Sequence, residues 1–295
     1  MRFLDHQASP ADIRRHGEAQ GAIFDIWALR SGDRWRHEAV IRGLCQTAYL
    51  GDHTAICRIL GRYKMYVDTR DVGVASHLML DGYWEMWNTE VIVRLVKPGM
   101  TVLDVGAHCG YFSVLLADLI GPRGKLLSFE PNPPMAALLR RTVAVNGFDG
   151  RTTIHEMALG EENGVATLQV PQNEPKNAHV VQGKGGPGMV EVPLRRADSL
   201  PGAVEADFIK IDAEGAEHAI WKGLKGVLAR KRPLTILLEF AAVRYPNPAA
   251  FLDEILSHGF HLAEVDLVGG VQDRTREAVL KASPSDDQML LLTRG

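Results

Sequence analysis

The stretch Thr101-Val-Leu-Asp-Val-Gly-Ala-His-Cys-Gly-Tyr-Phe-Ser113 constrains the fold of this chain more than any other. Residues 101–105 are short, apolar and rich in β-formers, as a strand buried on both faces should be. Gly106 and Gly110 supply a tight turn and a close backbone approach. A helix opening near Tyr111 then offers unpaired N–H groups to whatever sits over the loop. This is the first half of a βαβ unit with a ligand site at its crossing.

The acids around that loop narrow the ligand. Asp104 ends the strand and sets a negative charge beside the site, which repels a pyrophosphate and attracts an ammonium or sulfonium group. Lys125-Leu-Leu-Ser-Phe-Glu130 reads as a second strand ending in an acid, and Glu130 falls 20 residues after Gly110. A carboxylate there can accept from both hydroxyls of a ribose. The glycines are spaced G-x-x-x-G, not G-x-G-x-x-G, which weighs against a nicotinamide dinucleotide. Charge and spacing together favour S-adenosylmethionine over an ordinary βαβ turn with no ligand.

Composition sets outer bounds. The 295 residues suit one domain of 200–230 residues plus an appendage. Hydrophobic residues make up 46% and charged residues 23%, and a formal net charge of −3 leaves no footprint for nucleic acid. No 18-residue apolar run spans a membrane, and Met1-Arg-Phe-Leu-Asp-His-Gln lacks the apolar stretch of a signal peptide. Cys45, Cys57 and Cys109 form no C-x-x-C pair, which fits a reducing cytoplasm rather than a structural zinc site. Cys109 reads as a small filler in the loop.

Along the chain, residues 1–62 read as helical, with apolar spacing over Arg34–Tyr49 continued by Thr54–Leu60. Lys64–Asp68 reads as a short strand that Val72–Leu80 can pair with, and Trp84–Val96 as a helix stopped by Lys97-Pro-Gly99. The chain therefore divides into an N-terminal helical cap, 1–97, and a ligand-binding domain, 98–295. The latter alternates: strand 101–105, helix 111–120, strand 125–130, helix 134–146, strand 152–156. Val165–Val170 and Met189–Arg195 read as an antiparallel pair around a Pro/Gly-rich mobile loop, Pro171–Gly188. Strand 206–212, helix 215–230, strand 234–240, helix 248–258, strand 260–265 and a last strand near Met289–Thr293 complete a mostly parallel seven-stranded α/β sheet with helices on both faces.

Four segments carry a family resemblance: Val102–Ser113, Ser128-Phe-Glu-Pro-Asn-Pro133, Ala158-Leu-Gly160 and Phe208-Ile-Lys-Ile-Asp-Ala-Glu-Gly-Ala-Glu217. Over roughly residues 64–265 the chain resembles the FkbM family of S-adenosylmethionine-dependent methyltransferases. The resemblance implies a class I, Rossmann-like fold and transfer of a methyl group, usually to a hydroxyl oxygen. It also suggests that the segment Gly82-Tyr-Trp-Glu85 closes over the methionine end, making Glu85 a candidate amine contact.

The candidate cofactor contacts are thus Glu85, Asp104, Gly106, Ala107, His108, Gly110, Tyr111, Phe112, Glu130, Pro131, Asn132, Met157, Ala158 and Asp212. Asp104 would face the amine, Glu130 the ribose, and Ala158-Leu159 the adenine, with Asn132 and Met157 as flanking contacts. Asp212, His218 and Glu239 are the catalytic candidates. Asp212 would either orient the acceptor or take its proton, though a free carboxylate is a weak base for an alcohol. Histidine is the side-chain type best suited to act as a base near neutral pH, which makes His218 a base candidate, though it can instead pair with Glu214 one turn away on the helix surface. Asp212 and Glu239 end strands expected to be adjacent and can hold a divalent cation, Mg²⁺ first. With no third protein ligand in view the metal-free reading is preferred, and no residue is assigned to a metal.

The expectation is a cytoplasmic methyltransferase acting on a small-molecule hydroxyl of a sugar or natural-product intermediate, with neither nucleic acid nor membrane as partner. N-methylation of a small amine is the alternative, and a catalytically silent module of the same fold is a third. A homo-oligomer is compatible with the sequence.

Overall fold

A computed structural model describes residues 23–171, 177–181, 185–267, 270–283 and 286–295. After a short 3-10 turn, helix α1 (Arg34–Leu44) leads into strands β1 (Thr47–Gly51), β2 (Thr54–Ile59) and β3 (Tyr63–Asp68), which form an antiparallel sheet in the order β1-β2-β3. Helices α2 (Ala75–Leu80) and α3 (Met86–Leu95) follow.

This region corrects two expectations. The helical reading of 47–60 fails because the chain turns at Gly51-Asp52-His53, all at positive φ, and β2 buries every second residue, Ala55, Cys57 and Ile59. That is a period of two, which a short apolar stretch mimics poorly at helical spacing. The strand expected over 72–80 is instead α2, because the Asp71 carboxylate accepts from the N–H groups of Gly73 and Val74 and starts a helical turn. The part of the helical reading over 1–22 lies outside the described residues.

The main domain runs β4 (Thr101–Val105), α4 (Tyr111–Ile120), β5 (Lys125–Phe129), α5 (Pro133–Val145), β6 (Thr152–His155), β7 (Ala158–Leu159), β8 (Gly164–Gln169), β9 (His179–Val181) and β10 (Met189–Arg195). Then come β11 (Phe208–Ile211), α6 (Glu217–Lys222), α7 (Lys225–Leu228), β12 (Leu234–Phe240), α8 (Pro248–Ser257), β13 (His261–Asp266), β14 (Gly270–Asp273), α9 (Arg276–Lys281) and β15 (Gln288–Arg294). The helix expected over 215–230 is split at Gly223, where a Cβ would stand 2.1 Å from the carbonyl oxygen of Gly160.

The main sheet has the order β14-β13-β15-β12-β11-β4-β5-β6, eight strands rather than seven, since β14 adds an antiparallel edge. Strands β12 to β6 are parallel, and β15 inserts antiparallel between β12 and β13. This is the class I methyltransferase arrangement. The chain winds outward from β4 through β5 and β6, then returns to β11 on the other side of β4. Ligands of such sheets bind at that reversal, beyond the strands' carboxyl ends.

The N-terminal sheet is not a separate core. Ile59, Met65 and Val67 share one apolar cluster with Val102, Leu126 and Phe208 on one sheet face, while Leu103, Ile209 and Ile211 pack on the other. The backbone N–H groups of Lys64 and Tyr66 donate to Asn146 and Thr142, tying β3 to α5 and its C-cap. A second sheet, β7-β10-β8-β9, forms a side wall. Residues 179–181, expected in a loop, are a strand because they pair with Thr167–Gln169. Residues 172–176 and 182–184 of the expected mobile loop lie outside the described residues.

Candidate active site

Strands β4 and β11 run in register up to Val105 and Ile211, and the Asp212 N–H donates to the Val105 carbonyl at 3.2 Å. The chain then turns at Gly106 with φ +80°, where a Cβ would meet the Asp212 carbonyl oxygen at 1.8 Å. The glycine is therefore required by the neighbouring strand before any ligand is considered. Gly110 departs from expectation. It caps α4 at φ +103°, and a Cβ there would press on Leu139 at 2.7 Å, so it serves helix packing and does not line the cavity.

Asp104 is also corrected. It is fully buried beneath the loop, accepts from Ser113 Oγ at 2.6 Å, and does not reach the cavity. A residue in the middle of a β-strand points along the sheet normal, here into the packing of α4 rather than beyond the strand end. Burial pushes its carboxyl up, against the pull of Lys210 and Ser113.

Glu130 follows β5 and lines the cavity. One carboxylate oxygen accepts the His108 N–H at 2.7 Å and the other the Asn132 N–H at 2.8 Å. Both oxygens are thus aimed by backbone and retain lone pairs for further donors. Burial raises the carboxyl to about 7, opposed by those two backbone bonds. Asn132 itself is buried as the cap of α5 and holds Glu130 through its N–H, so its side chain is not part of the lining.

The cavity encloses about 1830 Å³. That exceeds the roughly 300–1,000 Å³ of a single-ligand pocket and leaves room for two molecules. Glu85, Gly106, Ala107, His108, Tyr111, Phe112, Glu130, Pro131, Met157, Ala158, Asp212 and Glu239 all line it. Glu85 arrives from the N-terminal region with φ 38° and accepts from Asn88 Nδ2 at 2.8 Å. His108, at φ 50°, sets its ring 3.4 Å from buried Asp71. With Glu214 at φ 52°, three non-glycine residues at positive φ meet in one cavity, the kind of backbone strain that clusters at functional sites. Trp84 and Trp87 are half-buried against the core and also line it.

The far end is crowded with charge. Glu239, the penultimate residue of β12, lies on the strand next to the one that Asp212 follows, but a guanidinium stands against it. Arg244 donates to Glu239 and pairs with Glu214 at 3.0 Å and Asp287 at 3.2 Å. Burial and the neighbouring Asp212 push the Glu239 carboxyl up, and Arg244 opposes them. Among the described residues no group of three or more His, Cys, Asp or Glu side chains is arranged to hold a metal ion. Lys210, on β11, is 1% exposed and donates to the Asp212 carboxylate at 2.9 Å.

His218 does not join them. Its ring stacks on Phe251 at 4.4 Å and its Nε2 lies 3.1 Å from Glu254, while Ala216, Ala219 and Ile220 present the cavity face. The expected pairing with Glu214 is absent because α6 begins only at Glu217, so the two residues do not share a helix. Glu217 is instead a buried brace. It accepts from the N–H groups of Ala213 and Gly215, each at 3.0 Å, and from Tyr245 Oη at 2.9 Å, which fixes the turn after Asp212.

Sequence reasoning passed over Lys210 and Arg244. Lys210 carried a signal, a charge inside the apolar run Phe208-Ile-Lys-Ile. Arg244 carried little, since only the fold brings it back five residues past Glu239.

Parts of the chain are similar to known proteins. Mouse catechol O-methyltransferase is 27% identical over 120 residues, covering 40% of this chain and 42% of that protein. A transmembrane O-methyltransferase of Propithecus coquereli is 37% identical over 94 residues, 31% of this chain and 34% of that protein. The matched stretches thus span less than half the length of these relatives. A solved SAM-dependent O-methyltransferase from Thermotoga maritima superposes with a TM-score of 0.42 at 13% identity, covering 81% of this chain and 77% of that one. The family model of the methyltransferase FkbM domain matches residues 104–262, more than half of the chain. The chain belongs to the FkbM methyltransferase family.

Proposed function

We propose that the protein is an S-adenosylmethionine-dependent methyltransferase that O-methylates a hydroxyl of a sugar or natural-product intermediate. The observation that carries the cofactor half is Glu130. Its carboxylate is fixed by two backbone N–H groups at the end of the second strand, over a loop whose glycine leaves no room for a side chain. Glu130 accepts from the ribose hydroxyls, Met157 and Ala158 flank the adenine, and Glu85 and Asp212 meet the cationic methionine end. When bound, the cofactor supplies an electrophilic methyl group on a sulfonium with a neutral thioether to leave behind. The protein's share is alignment and exclusion of water, which for such a donor can supply much of the rate. Asp212 accepts the hydrogen bond of the acceptor hydroxyl and receives its proton as the oxygen is alkylated.

The lining supports an uncharged or cationic acceptor. Among the described residues, eleven Asp and Glu side chains line the cavity against one Lys and two Arg. A phosphorylated or nucleotide-linked acceptor would meet that field unfavourably. The same acidity favours a second reading, N-methylation of an amine-bearing acceptor.

The test is incubation with methyl-labelled S-adenosylmethionine and a panel of neutral sugars, polyols, catechol, amino sugars and sugar phosphates. Label on an oxygen of a neutral compound is expected. Label only on nitrogen favours the amine reading, and transfer to the sugar phosphates alone overturns both.

A further inference from the structure

Lys210 is a lysine in a place where lysine is rarely found. It is 1% exposed, in the central strand β11, flanked by Ile209 and Ile211. Lysines are almost never fully buried unless paired, and a well-packed apolar residue usually stabilises such a position at least as well. Its neighbours explain the charge. Asp212 follows the last residue of β11, two positions on from Lys210, and the register sets Lys210 opposite Asp104. The ammonium donates to Asp212 Oδ2 at 2.9 Å and lies 4.8 Å from the centre of the Phe112 ring. Burial alone would lower its pKa, but Asp212 and Asp104 outweigh it and hold the group charged.

Asp212 is thus gripped twice. Its N–H is held by Val105, and its carbonyl is packed against Gly106. Its carboxylate is held by Lys210 through one oxygen, while the side chain stays 25% exposed in the cavity. An aspartate after a strand can take several χ1 rotamers, and the bond from the ammonium selects one of them.

We propose that Lys210 is a positioning residue that fixes the Asp212 carboxylate through Oδ2 so that its other oxygen faces the acceptor. This rests on the methyl-transfer reading and adds to it which residue aligns the acceptor contact. A side chain that acts by placement shows itself in turnover more than in binding, because a displacement of about 1 Å can cost on the order of a hundredfold in rate.

The experiment is a double-mutant cycle of Lys210→Met, Asp212→Asn and the pair, assayed with whichever panel compound the wild type methylates. Lys210→Met is expected to lower kcat about a hundredfold while acceptor KM and calorimetric S-adenosylmethionine Kd stay within about threefold. In the Asp212→Asn background the same change should cost almost nothing, because there is no carboxylate left to aim. Additive losses overturn the proposal, since a structural defect would add in full. A crystal structure of Lys210→Met with S-adenosylhomocysteine supplies an arm that needs no acceptor. The Asp212 carboxylate should leave its present rotamer, and an unmoved carboxylate overturns the proposal whatever the turnover. A wild type that methylates no panel compound counts against the methyl-transfer reading, and the crystal arm still decides Lys210. If Lys210→Met does not fold, Asp104→Asn combined with it removes the buried charges together and takes its place.

Discussion

A Cβ on Gly106 would stand 1.8 Å from the carbonyl oxygen of Asp212. The turn of the cofactor loop and the end of the neighbouring strand are therefore one fitted unit, and neither can move without the other. Gly106→Ala forces a positive-φ alanine, costing about 1–3 kcal/mol, and pushes Asp212 aside as well. The expected result is a lower denaturant midpoint together with loss of S-adenosylmethionine affinity in calorimetry. A variant with wild-type midpoint and affinity would show that the two strands are not in contact here.

Glu130 gives a pH signature. Burial raises its carboxyl from the ordinary value of 4.5 to about 7 in the unliganded protein. The folded state then binds a proton more tightly than the unfolded one, so this group's contribution to stability is present below pH 4.5 and is lost as pH rises to about 7, at roughly 1.4 kcal/mol per unit. Ribose hydroxyls donate to the ionised form, so the bound state favours loss of that proton. Cofactor Kd should be flat above pH 7 and weaken up to about tenfold per unit below it. Calorimetry at pH 6 in two buffers of different ionisation enthalpy should report proton release, and none at pH 8. Glu130→Ala should weaken binding by about 1.5–3 kcal/mol and abolish the pH dependence.

His218 tests the opposite case. Its ring is committed to Phe251 and Glu254 on the far side of α6. His218→Ala is expected to cost about 1 kcal/mol of stability and to leave turnover and its pH profile unchanged. A large loss confined to kcat would make it the base that the geometry argues against.

What the sequence disclosed about this site, and what it hid, follows from range. The strand–loop–helix at 101–113 and the acid at 130 were legible because the chemistry sits in one βαβ unit, where spacing fixes geometry. Adjacency of Asp212 and Glu239 was legible from strand alternation alone. Direction was not. Asp104 reads as a strand end and so as part of the site, but it is the fourth residue of the five in β4, and the pleat turns it beneath the loop. β3 is legible as a strand at Lys64–Asp68, but β1 and β2 read as helix because strands of five and six residues carry few apolar positions to set a period. Arg244 is placed by a turn after β12, and nothing local marks such a contact.

Arg244 carries the last prediction. Asp212 follows the strand next to the one that carries Glu239, and a guanidinium stands against Glu239, bridging to Glu214 and Asp287. Arg244→Met would leave three carboxylates around the vacated position, with Glu239 only 13% exposed. Removing one partner of such a pair is costly because the other charge is left without compensation. The single variant should lose stability, and Glu239→Gln added to it should recover part of that loss, a coupling of about 0.5–3 kcal/mol in denaturant unfolding. Hard divalent cations prefer carboxylate oxygens. Millimolar Mg²⁺ should therefore raise the melting temperature of Arg244→Met and leave the wild type unmoved. If Mg²⁺ stabilises the wild type equally, the guanidinium is not the resident cation of this end of the cavity, and the carboxylates there must be matched to a metal instead.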